Sequence, residues 1–329
     1  MTTAKHSTAG VSRRVAVAFT VLAAASAFAQ QSFPSRPLRI IVPAPPAGAA
    51  DTATRVIARH MESTLGQPVV VENRPGASAT IGLQLLFNAP PDGYTIGLAS
   101  VAGTAIFSVS NPNVPDLRKD FVPIAGIVHA PHVLVAPTLL PVKTAQELIA
   151  LFKMEPGKHN FASQGEGSLS HLESELFRTS SAVELTHIPY TGSSLALPGL
   201  ITGTTSMMFD SAAAVSPQVK AGKLQVLGTS ASQRLAQFPN APTMVELGMT
   251  KFRADNPFGF YAPAGTPLAV ARVLTDAVRA ALAAPQTMQA LQAAGLEPHF
   301  TAPAEFQKVV AGEYELWQSV APAAGGRTK

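Results

Sequence analysis

The sequence predicts an α/β fold, because short β-branched apolar runs alternate with longer helical stretches and the boundaries between them carry capping and turn residues. Strands alternating with helices indicate βαβ units, and βαβ units give largely parallel sheet. None of the 329 residues is a cysteine, so neither disulfides nor thiol chemistry contributes and stability must come from a packed core. With 47% hydrophobic residues there is enough apolar side chain for one large or two medium cores.

Taken in order, the predicted strands are 38–43, 69–72, 94–99, 122–128, 132–136, 160–163, 185–189, 206–209, 224–228 and 258–262. Helices are predicted near 51–65, 80–89, 144–154, 168–179, 193–202, 267–283, 286–294 and 302–318. Asp51 or Thr52 caps the first helix and Gly66 follows its end. Thr144 with Glu147 makes a capping box, and Pro267 sits in a first turn after Thr266. The loops at 88–94 and 262–267 are rich in Pro and Gly and read as turns. There is no fixed-period repeat and no low-complexity tract.

Residues 1–29 read as a secretory signal peptide: Lys5, Arg13 and Arg14 precede an apolar run over 15–28, closed by the small-residue triplet Ala27-Phe28-Ala29. The run is shorter than the roughly 20 apolar residues that span a bilayer. The remainder is therefore expected to be a soluble, periplasmic protein. Three of the 24 basic residues and none of the 20 acidic ones lie in this segment, which leaves about one net positive charge after cleavage. A nearly neutral chain with no Lys/Arg run gives no reason to expect nucleic acid or anionic membrane as a partner.

Three loops carry the chemistry. After the first strand, Pro43-Ala44-Pro45-Pro46 leads into Ala47, Gly48, Ala49 and Ala50, whose small side chains leave the helix N-terminus open to an anion without any Lys or Arg. The competing reading is a small-residue turn that only lets helix and sheet pack closely. No Gly-Lys-Ser/Thr follows, so it is not a phosphate-binding P-loop. In the second loop Gly165 and Gly167 follow a strand ending near Ser163, and Ser168 or Ser170 caps a helix that bears His171, Glu173 and Glu175. The third loop, Tyr190-Thr191-Gly192-Ser193-Ser194, offers backbone N–H groups, hydroxyls and an aromatic wall. Together they suit a small polar solute, with a carboxylate as the natural guest.

These loops sit within a set of segments that resembles one family. In order, "FPSRPLRIIVPAPPAGAADTATRVIARHM", "LGQPVVVENRPGASATIG", "PDGYTIGLAS", "KHNFASQGEGSLSHLESELF", "HIPYTGSSLALPGLITG", "KAGKLQVLGTS", "APTMVELG" and "GFYAPAGTP" are similar to the Bug-type receptors of tripartite tricarboxylate transporters. The resemblance implies a type II periplasmic-binding-protein-like fold, two α/β lobes around a ligand cleft. Residues 30–127 with 259–329 would form the first lobe and 128–258 the second. It implies a monomer without cofactor or metal that takes a small carboxylate and delivers it to integral-membrane transporter subunits. The family's first ligand loop falls on Pro46, Ala47, Gly48, Ala49, Ala50, Asp51 and Thr52. The second falls on Ser163, Gly165, Gly167, Ser168 and His171, and the third on Tyr190, Thr191, Gly192 and Ser193. Asp210, Ser100, Gly103 and Thr104 would also face the cleft. Two positions depart from the family: Ala44 stands where an aromatic is usual and Ala47 where Gly is usual, which alters pocket volume.

The residues give enzyme readings little support. His171-Leu172-Glu173-Ser174-Glu175 lacks the second histidine of a zinc helix, and His129 and His132 flank Pro131, as core or crossover residues do. No Gly-x-Ser-x-Gly elbow occurs. Asp51 and Arg55 are four apart and make a surface or cap pair. Asp210 is either a general base or, more modestly, a hydrogen-bond acceptor for ligand or water. No catalytic residue is assigned. The alternatives are an exported enzyme acting on a small carboxylic acid and a receptor for a sensor kinase. Gly192→Asp is expected to abolish anion binding with little loss of stability.

Overall fold

The computed structural model describes residues 33–46, 48–77, 79–111, 113–250, 252 and 255–320. The segment read as a signal peptide and Ala47 lie outside them. In chain order the strands are β1 (Leu38–Val42), β2 (Val69–Asn73), β3 (Thr95–Ser100), β4 (Phe121–His129), β5 (His132–Pro137), β6 (His159–Ser163), β7 (Leu185–Pro189), β8 (Met207–Ser211), β9 (Leu224–Thr229), β10 (Pro257–Pro263) and β11 (Glu297–Thr301). The helices are α1 (Ala49–Leu65), α2 (Thr80–Phe87), α3 (Val101–Ser110), α4 (Ala145–Met154), α5 (Leu169–Ser181), α6 (Ser193–Ile201), α7 (Ala212–Lys220), α8 (Leu268–Ala283), α9 (Pro285–Ala293) and α10 (Pro303–Val320).

The strands form two sheets, one ordered β11-β4-β10-β3-β1-β2 and the other β7-β6-β8-β5-β9. Each is the centre of an α/β lobe. The chain leaves the first sheet after His129, enters the second at His132, and returns between Thr229 and Pro257. The expectation of largely parallel sheet is corrected: four strand pairs are parallel and five antiparallel. The reason lies in the crossings. A strand of a βαβ unit ends at the cleft, whereas β5 and β10 begin there after arriving from the other lobe, so both run against their neighbours. The carboxyl ends of β1, β3, β6 and β8 are thereby all directed to the cleft, where loops with exposed N–H groups collect ligands in α/β sheets.

Local sequence explains most of these elements. In β1 four of five residues are buried, as in a strand covered on both faces. In α8 the buried residues Ala271, Leu274, Ala277, Val278 and Ala281 recur at helical spacing and cover one face of the first sheet's core. Thr144 caps α4 by accepting from the Glu147 N–H at 3.1 Å. The Glu147 carboxylate accepts from the Lys143 N–H rather than from that of Thr144, so the box closes one residue early.

Three elements escaped the sequence reading. Helix α3 is apolar nearly all round because it lies between the lobes, in the same core as Phe177 and Trp317, so its pattern has no polar face to reveal a period. Helix α7 is short and contains Pro217. Strand β11 holds Pro298 at the sheet edge and pairs irregularly with β4.

The two crossings are tied together. Asn256, buried and at φ 47°, donates from Nδ2 to the Ala130 carbonyl at 3.1 Å and accepts the Ala130 N–H on its own carbonyl at 3.1 Å. Its Oδ1 accepts from Ser100 Oγ at 2.8 Å, which links the start of α3 to both crossing strands. Among the described residues no helix is long and apolar enough to cross a membrane.

Candidate ligand-binding cleft

Helices α1, α3, α5, α6 and α7 begin at strand ends on the cleft, and they begin in two ways. Ser100 caps α3 through the Gly103 N–H at 3.1 Å, and Ser168 caps α5 through the His171 N–H at 3.2 Å. Helices α1 and α6 start at Gly48 and Gly192 with no side-chain cap on their first N–H groups. One of these uncapped ends belongs to each lobe.

The prediction that Asp51 or Thr52 caps α1 is therefore corrected. Asp51 lies in the first turn, 4% exposed, and its carboxylate accepts from Arg55 Nε at 2.9 and 3.0 Å and from Asn73 Nδ2 at 2.9 Å. Asn73 Nδ2 also donates to the Ala44 carbonyl at 3.1 Å. The pair read as a surface or cap contact is thus an anchor that holds the loop around Ala44 to the end of β2. Pro46 and Gly48 are exposed, and Ala49, Ala50 and Thr52 are half-buried.

Beside Ala50 and Ala44 lies a cavity of about 170 Å³ that Ser100, Gly103 and Thr104 also line, so the first loop and the start of α3 meet there. Phe107, one turn further along α3, lines the same cavity and reaches the second lobe, where its Cε1 lies 3.2 Å from the position a Cβ on Gly167 would take. The sequence reading missed Phe107 because it missed α3.

On the second lobe the loops at Ser163 and Tyr190 interlock. Gly165 adopts φ 128° and passes so near the Tyr190 carbonyl that a Cβ there would sit 3.2 Å from it. Gln164 Nε2 donates to Ser193 Oγ at 3.0 Å and to Asp210 Oδ1 at 2.6 Å, and the same Oδ1 also accepts from Ser193 Oγ at 2.9 Å and from the Ser211 N–H at 2.7 Å. Asp210 is fully buried and its Oδ2 has no partner. Burial raises its carboxyl above the usual range, against the lowering effects of His132 and of these hydrogen bonds. Gln164 was not singled out from the sequence, though it lies between two residues that were.

Two side chains are placed otherwise than expected. The Tyr190 hydroxyl lies over Gly199, about two turns along α6 from Gly192, and its ring packs with the second lobe's core. Tyr190 thus contributes backbone rather than a hydroxyl to the third loop. Of the two serines offered as caps for α5, Ser168 takes the role, and Ser170 Oγ donates instead to the Phe209 carbonyl at 2.5 Å. Thr191 is exposed and Gly192 half-buried. Gly192 adopts φ 113°, so a side chain there has space but a strained backbone, and the expectation that Gly192→Asp costs little stability is corrected.

His171 and His187 stack with ring centroids 4.0 Å apart, and Phe161 stacks with His187 at 4.8 Å and with His171 at 6.2 Å. Burial, followed by the neighbouring His171, depresses His187 to about 4, and burial also lowers His171. His171 Nδ1 accepts from the Gly167 N–H at 3.1 Å, which requires that nitrogen to be unprotonated. His187 Nε2 lies 2.7 Å from Ser163 Oγ, a Ser–His pair that the sequence did not suggest. Ser163 is fully buried, its Oγ already accepts from the Gly165 N–H at 3.1 Å, and an imidazole with so low a pKa is a weak base. The pair fixes the loop. His132, between the crossings, is buried with its Nδ1 2.6 Å from Glu173 Oε2, and His129 stacks on His299 at 4.9 Å, so both are core or crossover residues. Among the described residues no group of three or more His, Asp or Glu could hold a metal ion.

Two α/β lobes, crossing strands between them and helix N-termini directed at the cleft define a solute receptor of the periplasmic-binding-protein class. Residues 53–325 match the family described as "Tripartite tricarboxylate transporter family receptor", TctC, and the chain belongs to it. It is 34% identical over 300 residues to Protein BugT of Bordetella pertussis, covering 91% of this chain and 92% of that one. Among solved structures it is similar to the periplasmic binding protein BugD, with TM-score 0.80 and 30% identity over 90% of this chain and 99% of that one. It is likewise similar to Rpa4515 of R. palustris with adipate, at TM-score 0.83 and 30% identity over 89% of this chain and 99% of that one. MatC of Rhodopseudomonas palustris with bound malate matches at TM-score 0.78 and 29% identity, covering 88% of this chain and 99% of that one.

Proposed function

We propose that the protein is an exported, periplasmic receptor that binds a small carboxylate without changing it and presents it to the membrane subunits of a secondary transporter. The observation that carries this reading is the pair of uncapped helix starts, α1 at Gly48 in one lobe and α6 at Gly192 in the other. Backbone N–H groups and the positive ends of the two helix dipoles hold a carboxylate without a cationic side chain. The malate and adipate held by the two R. palustris relatives support a carboxylate as the guest. The family's description supports the transporter as partner.

The binding residues in this reading are the backbone of 48–52 on the first lobe and that of 190–193 on the second, with the loop at 163–171, whose Gly165 and Gly167 N–H groups are engaged within it, as the adjoining wall. Residues 30–127 with 259–329 move as one lobe and 128–258 as the other, about the crossings that Asn256 ties together. Because donors come from both lobes, a carboxylate favours the closed arrangement by as much as it prefers the completed site. Turnover has no support in the geometry, since the one Ser–His pair near the cleft is buried and its histidine is a poor base.

A thermal-shift screen of the chain from Gln30 against mono-, di- and tricarboxylates, with recovery of the ligand by mass spectrometry, tests the reading. A saturable upward shift with the acid returned intact is expected. Consumption of an acid would replace the receptor with an enzyme.

A further inference from the structure

The cavity beside Ala44 is apolar in a way that bears on which acid fits. Its walls are Pro43, Ala44, Ala50, Leu98, Phe107 and Phe258. The two hydroxyls at its edge are already engaged: Thr104 Oγ1 donates to the Ser100 carbonyl at 2.8 Å, and Ser100 Oγ donates to Asn256 Oδ1 at 2.8 Å while accepting from the Gly103 N–H at 3.1 Å. A second carboxylate entering this space would give up its water and find both hydroxyl protons already given to other acceptors. An apolar group entering it would gain what burial of hydrocarbon normally gives.

Charge points the same way. None of residues 43–52, 100–104, 163–171 and 190–194 is Lys or Arg. His171 and His187 are neutral, the one accepting from the Gly167 N–H and the other depressed by burial. Within these loops positive potential comes from the helix starts, and the acidic groups in or beside them are Asp51, which is paired with Arg55, the exposed Glu166, Glu175 and the buried Asp210. One carboxylate is matched and a second is not.

Size completes the argument. An apolar cavity of about 150 Å³ holds a benzene ring, and this one measures about 170 Å³. From the cavity and the missing cations, and resting on the receptor reading above, we infer that the ligand is a monocarboxylate with an apolar body of about five to seven carbons. Its carboxylate sits on the helix starts and its ring or chain fills the space bounded by Ala44, Leu98, Phe107 and Phe258. Ala44 sets the depth of that space, because a methyl group stands where a larger side chain would occupy it.

Calorimetric titration of the chain from Gln30 with acetate, butanoate, hexanoate, benzoate, malate and citrate tests this. Affinity is expected to rise about fourfold per methylene from acetate to hexanoate, with benzoate near hexanoate and with malate and citrate weaker than both. Ala44→Phe is expected to flatten that rise, and the unsubstituted series decides the point even if this variant does not fold. Malate or citrate binding more tightly than hexanoate and benzoate, on a flat series, would overturn the inference and leave the receptor standing. Binding of none of the six acids would overturn the receptor reading and this inference with it.

Discussion

The two walls of the cleft are built on the same strand–loop–helix plan and differ in what lines them. On the first lobe the helix starts sit against alanine, leucine and phenylalanine, and the hydroxyls that line the cavity, those of Ser100 and Thr104, are turned into their own backbone or the crossing. On the second lobe Gln164, Ser193 and Asp210 form a connected polar network, and His171, His187 and Ser163 form another. The first wall is shaped by the size of its side chains, the second by hydrogen bonds that fail together. Substitutions in the first should change which ligand fits, whereas substitutions in the second should change whether the loops hold their form.

The largest effect on binding is expected at Gly192, where the uncapped helix start of the second lobe faces the cleft. Gly192→Asp sets a charge where the ligand's charge goes, and like charges in contact cost several kcal/mol, so affinity for any bound carboxylate should fall about a hundredfold or more. The φ of 113° adds a strain of about 1–3 kcal/mol to stability. Gly192→Ala carries the strain without the charge. If both variants lost affinity equally in titration, the electrostatic part of the argument would be wrong.

Asp210 comes next. Asp210→Ala leaves Gln164 Nε2 and Ser193 Oγ without their shared acceptor in a buried site, and unfolding in urea should show a loss of about 2–4 kcal/mol. Asp210→Asn keeps the Oδ1 acceptor and replaces only the oxygen that has no partner, so its stability should stay within about 1 kcal/mol of the original. A large loss in the Asn variant would mean that the negative charge itself holds the loops.

The caps compare the two walls directly at a smaller scale. Ser168→Ala removes the cap hydrogen bond from α5 and also the bond that Ser168 Oγ donates to the Gly165 carbonyl at 2.7 Å, and should cost about 2 kcal/mol. Ser100→Ala removes the cap of α3 and also the bond to Asn256 at the crossings, and should cost about 2 kcal/mol. A loss of only about 1 kcal/mol in Ser100→Ala, that of a cap alone, would show that the tie to Asn256 contributes nothing.

Much of this plan is visible in the sequence because it is local. Glycines at 48, 165, 167 and 192, serines at helix starts and β-branched strands mark their own positions, and all ten strands predicted are present. What stays hidden is whatever depends on the other lobe. Helix α3 is apolar nearly all round because both lobes cover it, so no clear period shows, and with it Phe107 and much of the cavity wall go unseen. Asp51 is typical of a cap in sequence but is claimed by Arg55 and by Asn73, a partner 22 residues away. The antiparallel strands are illegible for the same reason, since their direction is set by where the chain crosses and not by their composition.

The smallest effect tests the second wall through its protons. His187 is depressed to about 4 by burial first and by His171 second, whereas in the unfolded chain it titrates near the ordinary value of about 6.5. Between those two values the unfolded chain binds the proton and the folded one does not. Stability is therefore fully present above about 6.5 and declines as pH falls toward 4, where the folded state begins to take the proton too. His171, lowered by burial, acts in the same direction. His187→Phe keeps the ring stack with Phe161 and His171 but removes one titrating group, so its urea midpoint should fall less steeply over that window. If the original and the variant declined in parallel, the stack would not exclude the proton from His187, and the second wall would owe its form to the Gln164–Ser193–Asp210 network alone.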